Sequence, residues 1–220
     1  MAEKKIEVPK MVRENISVAL KAISGLISHQ FSEKVKKELA DKMAKKASAG
    51  RQAKDPIAEF VHSLYFMVDV DKTKIIKKLH DAEIKIGDDV SKFFEDIPLG
   101  FPASGFKGAA VSACRNVSDV PMTLARGAFH IKADIGNLVE VQYEKLIFRE
   151  DNVRVGRGAA DLRYRGEFAD WSVVLDIILN PAALSAEQVC NLIDISGFSV
   201  GIGDWRPEKD GSYGMFELAR

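Results

Sequence analysis

Residues 171–179, WSVVLDIIL, constrain the fold more than any other stretch. They are almost all apolar or β-branched, they follow Ala169-Asp170, and they stop at Asn180-Pro181, which predicts one buried strand with sharp ends. Just before it, Leu162, Tyr164 and Phe168 alternate with polar residues, so 160–168 reads as its neighbour, with Arg163 and Arg165 on one face. Just after it, Ser185 and Gln188 have capping-box spacing. Leu184, Val189, Leu192, Ile193 and Ile195 then predict a helix over 185–196 that Gly197 caps. A last strand over 213–218 closes the pattern strand, strand, helix, strand.

The upstream half supplies the missing strand and helix. Residues 60–68 are apolar and aromatic enough for a buried strand. Pro102 opens a helix of small residues over 103–115, and strands over 128–132, 138–142 and 145–148 form a β insertion. The order is then βαββαβ, an α+β, ferredoxin-like core over 57–220 with insertions at about 69–100 and 117–158. The first insertion is expected to hold a short helix or hairpin. Ahead of the core, Ile16, Leu20, Ile23, Ile27, Phe31 and Val35 recur at helical spacing. Residues 1–56 therefore read as a helical appendage: a helix over 11–48, restarting as a second helix over 35–43, and a linker over 47–54.

The chain has 32 basic and 32 acidic residues and a net charge of zero, which argues against a simple polyanion binder. The charge is uneven: residues 1–56 carry 13 Lys or Arg against 7 Asp or Glu, a difference of +6. Cys114 and Cys190 lie in apolar helical patterns and read as buried thiols, with no spacing for a metal site. There is no apolar leader and no run long enough to span a membrane, so a soluble, cytoplasmic protein is expected.

Chemistry gathers in two stretches. Residues 199–218 set Gly201, Gly203, Gly211 and Gly214 around an Asp204-Trp205-Arg206 tip, with Lys209 close by. This is either a loop that something approaches closely or a long β-hairpin with its tip in solvent. Arg149, Arg154, Arg157, Arg163 and Arg165 fall within 17 residues. Of these, Arg154, Arg157, Arg163 and Arg165, together with Lys107, Arg115, Arg126, Arg206 and Lys209, could line a groove that tracks a phosphate backbone, with Trp205 and Tyr213 as stacking surfaces. The competing reading pairs these arginines with Glu150, Asp151, Asp161 and Glu167 on a sheet face. His29, His62, His80 and His130 form no catalytic cluster in sequence, and phosphate-loop, esterase-elbow and zinc-protease motifs are absent. No enzyme activity, cofactor or metal is expected.

Two motifs, PASGFKGAAVSACR (102–115) and GIGDWRPEKDGSYGMFE (201–217), resemble those of the RAMP superfamily, the RNA-binding subunits of CRISPR effector complexes. The resemblance implies a ferredoxin-like core and a non-catalytic subunit that binds single-stranded RNA or DNA. It also implies a homo-oligomer or multi-subunit complex, with oligomerisation along the strand as one form. The acidic Asp204 and Glu208 depart from the usual basic character of such loops. The chain is also similar to uncharacterised phage-encoded proteins, which leaves a protein-binding or assembly factor as the alternative. Salt dependence separates the two, because phosphate contacts weaken steeply with salt.

Overall fold

The computed structural model describes residues 10–30, 54–154 and 160–219. It is an α+β structure with three antiparallel sheets. Strand β1 (Glu14–Ala22) buries Val18 and Leu20 and turns Ser17 and Ala19 outward, the period-two pattern of a half-buried strand. The helix expected over 11–48 is therefore corrected for its described part. Ile16 and Leu20 satisfy both periods, and sheet pairing decides between them. β1 pairs along its length with β9 (Ser172–Leu179), from Glu14 opposite Leu179 to Lys21 opposite Ser172. The chain then turns at Gly25 into β2 (Leu26–Ser28). Residues 14–28 thus lie in the core and not in an appendage. The second helix over 35–43 and most of the linker lie outside the described residues.

In the main sheet β1 is flanked by β9 and by β10 (Phe216–Leu218), and β5 (Phe129–Ile131) pairs with the far edge of β9. Helix α3 (Ala103–Ala113) connects toward β5, and helix α5 (Ala186–Ser199) connects β9 to β10. The two helices pack on each other, α5 against β10 and α3 against β5. Val18, Leu20, Val173, Leu175, Ile177 and Leu179 are buried, while Ser17, Ala19, Lys21, Val174 and Asp176 face outward.

The strand expected over 60–68 is also corrected. Residues Pro56–Ser63 form helix α1, because Asp55 accepts from the Ile57 and Ala58 N–H groups and Pro56 fits the first turn. Only β3 (Tyr65–Phe66) is extended; it pairs with β4 (Leu99–Pro102), which pairs with β6 (Leu138–Glu140). Helix α2 (Lys72–Asp81) fills the first insertion, and helix α4 (Met122–Ala128) leads into β5.

The third sheet joins β2 to a long hairpin, β7 (Lys145–Arg154) and β8 (Ala160–Ala169), in which Arg149 faces Arg165 and Asp151 faces Arg163. One face packs on α1: the Phe60 and Phe148 rings lie 5.1 Å apart, and Leu64 comes so close to Gly166 that a Cβ would not fit. The expected capping box is present at Ser185 and Gln188. Gly197 is not the cap, however: the helix continues to Ser199, and a Cβ at 197 would strike the Phe216 carbonyl of β10.

A candidate groove between a small-residue helix and a latched loop

The loop from Val200 to Met215 is not a β-hairpin. It holds one short 3-10 turn (Pro207–Lys209), and its strand, β10, pairs with β1 instead of with the loop's own first half. Its glycines serve the loop's own packing. A Cβ on Gly214, at φ +66°, would strike the Ile202 carbonyl, and one on Gly211 would strike the Trp205 carbonyl. The close neighbour is the chain itself. The loop is tied to the β1–β2 turn by the Gly214 N–H to Gly25 O bond at 2.7 Å and the Met215 N–H to Ser24 Oγ bond at 3.0 Å.

A charged latch holds the loop over the hairpin. The Arg165 guanidinium is 2% exposed and donates to Asp151 Oδ2 at 2.7 Å and to Asp204 Oδ2 of the loop. Arg149 pairs with Asp151 at 2.6 Å and with Glu167, and lies over the Tyr213 ring with its guanidinium carbon 4.6 Å from the centroid. Despite the cost of burial, these partners keep the Arg149 pKa above its ordinary value. His29 Nδ1 lies 2.7 Å from Asp204 Oδ2. Burial alone would raise the Asp204 pKa, but His29 and Arg165 outweigh it and hold the carboxyl below the usual range.

Between this loop and α3 runs a cleft of about 370 Å³. Ser104, Gly105, Gly108 and Ser112 of α3 form one wall, the Gly201–Asp204 backbone with Arg206 and Glu208 the other, and His29, Tyr65 and Phe101 close one end. A Cβ at Gly108 would meet nothing, so the helix leaves open space there. No side chain caps the start of α3, so its first N–H groups add partial positive charge. Trp205, between the cleft-lining Asp204 and Arg206, is 41% exposed and at φ +55°, a strained conformation for a bulky residue that the loop's packing enforces.

The cations expected at a groove are placed differently from one another. Arg165 is buried in the latch. Lys107 is turned inward, which corrects its placement in a groove: Nζ donates to Ala125 O at 2.7 Å and Phe129 O at 2.6 Å and lies 3.4 Å from the Phe129 ring centroid, and burial lowers its pKa to about 8. Arg206 and Arg115 both pair with Glu208, at 2.9 and 3.2 Å, which places them at the cleft rim but half-neutralised. Arg163, Arg126 and Lys209 make no ion pair among the described residues; Arg126 and Lys209 are exposed. Arg157 and the Arg154 side chain lie outside the described residues. Gly201 and Gly203 line the cleft, whereas Gly211 and Gly214 lie inside the loop.

Sequence reading missed His29, Tyr65 and Ser104. His29 lies just past a strand that read as helix, and Tyr65 just past a helix that read as strand, so neither had a place. The Asp55-Pro56 cap was the signal that would have found α1 and, with it, Tyr65. Elsewhere His62 lies on α1 with its pKa lowered by burial, and His130 points outward from β5. Cys114 is buried and Cys190 half-buried, both as free thiols. Among the described residues no group of three or more His, Cys, Asp or Glu could hold a metal ion, and no helix is long and apolar enough to cross a membrane.

No protein-family model and no curated protein matches the chain. Among solved structures it is similar to the crystal structure of Cmr6 from Pyrococcus furiosus, at 14% identity and a TM-score of 0.37, over 94% of this chain and 98% of that one. A likeness of this size leaves the site to be judged on its own geometry.

Proposed function

We propose that this chain is a non-catalytic single-strand nucleic-acid binder, RNA before DNA, whose strand lies in the cleft between α3 and the glycine-rich loop. The observation that carries the reading is the pairing of an open, small-residue helix wall with Trp205, held exposed in a strained conformation between two residues of the opposite wall. Glycines let a sugar-phosphate backbone approach α3, the helix start and rim arginines favour phosphate, and the indole offers a stacking face. We read the main sheet as a ferredoxin-like βαββαβ unit, with β1, β5, β9 and β10 as its strands and α3 and α5 as its helices. On this reading the chain is a RAMP-like subunit of a larger assembly. The outward sheet face carries no aromatic residue on β1 or β9, which favours the cleft over the sheet as the stacking site.

Glu208 half-neutralises the rim arginines, so few phosphates are contacted and the salt dependence is shallow. The test is binding of a labelled single strand, RNA and DNA in parallel, across a salt series. The expected slope of log K against log salt is about −1.4 to −2.1, from two or three phosphates at roughly −0.7 each, and Trp205→Ala should weaken binding by about 1–3 kcal/mol. Absence of binding to either strand at low salt overturns the reading. A second reading, a protein-binding assembly factor, is favoured by Phe198, 70% exposed, and Ile195 one turn before it on α5.

A further inference from the structure

Tyr65 is shared by two clefts. The second, of about 550 Å³, is lined also by Gln30, Phe66, Asn137 and Leu138, so the two clefts meet at this ring. The character of the lining changes there. Among the described residues no charged side chain lines the second cleft. It offers instead aromatic surface and two neutral carboxamides. Neither the Gln30 nor the Asn137 amide makes a hydrogen bond among the described residues.

The groups are held in place. The Tyr65 hydroxyl donates to His29 O at 3.3 Å, and its ring meets Phe101 edge-on at 5.9 Å. The Gln30 N–H donates to Ser63 O at 2.9 Å. Asn137 O accepts from the Ala103 N–H at 2.9 Å, just after Gly136 turns the chain at φ +60°. Two uncommitted amides thus stand on anchored backbone beside a fixed aromatic ring.

We infer that this second cleft is a base-reading subsite of the same strand and that it takes an unstacked adenine. A carboxamide presents a donor and an acceptor side by side, which matches the N6 amino group and N7 of adenine. Single strands are read in this way, by a splayed base stacked on an aromatic side chain and bonded along its edge. The inference rests on the strand-binding reading above, and the test separates the two.

Equal-length oligoadenylate, oligocytidylate and oligouridylate are titrated at low salt against the full chain and against the Gln30→Ala/Asn137→Ala double variant. Wild type should prefer oligoadenylate by about tenfold. The double variant should bring that preference below about twofold while its affinity for oligouridylate stays unchanged. Asn137→Asp, which keeps the shape but loses the donor, should reduce the preference as well. Binding without preference in wild type, or a preference that survives the double variant, overturns the subsite and leaves the groove standing. Absence of binding to all three strands overturns both readings.

Discussion

Arg163 and Arg165 lie two residues apart on β8, on the same face of one hairpin, and meet different fates. Arg165 is 2% exposed, under the glycine-rich loop, with carboxylates on two sides. Arg163 faces Asp151 across the ladder but makes no ion pair among the described residues, because Asp151 is already engaged by Arg149 and Arg165. The loop's Asp204 reaches one residue and not the other. Whether an arginine on a strand is structural or available to a ligand thus depends on what covers that part of the strand, and here the cover comes from a loop far along the chain.

The hardest way to break this contrast is Arg165→Ala. It leaves Asp151 with Arg149 alone and Asp204 with His29 alone, and removing one partner of a buried pair such as Arg165–Asp151 typically costs about 3–5 kcal/mol. Urea unfolding should show a loss of that order. A loss below about 1 kcal/mol would mean that the latch behaves as a surface ion pair and that the loop is held by its backbone bonds alone.

Acid gives the next test. The Asp204 carboxyl has its pKa lowered in the folded protein, against the pull of burial, by His29 and Arg165. A group depressed in this way contributes stability above its unfolded value, near pH 4, and that contribution fades as pH falls through the folded value. Stability followed by urea unfolding from pH 6 downward should therefore fall more steeply in wild type than in Asp204→Asn. Parallel curves would remove Asp204 from the latch.

The same contrast explains what could be read from the sequence. Elements fixed by local chemistry were legible: β9 by its apolar run and the Asn180-Pro181 break, α5 by Ser185 and Gln188, α3 by Pro102. Elements fixed by distant partners were not. Ile16 and Leu20 fit two periods, and only pairing with β9 makes β1 a strand. The α+β class survived the misplacement of the first strand, because β1 and residues 60–68 both precede α3. The loop glycines were visible, but their neighbours were not: Gly211 and Gly214 answer to Trp205 and Ile202. The acidic partner of Arg165 on the hairpin, Asp151, was foreseeable as one of two readings, whereas Asp204, 39 residues beyond Arg165, was not.

The smallest change in stability should come from Arg163→Ala, and there the contrast becomes functional. Without an ion pair to lose, the variant should unfold within about 0.5 kcal/mol of wild type. If Arg163 is one of the cations that meet phosphate, the slope of log K against log salt for a single strand should become shallower by roughly 0.7. Arg165→Ala would confound fold and binding, whereas Arg163→Ala separates them on the same strand. A stable variant with an unchanged slope would confine phosphate contact to the cleft rim, at Arg115 and Arg206. A destabilised one would mean that the outer hairpin has its own cover, and that Arg163 belongs with Arg165 after all.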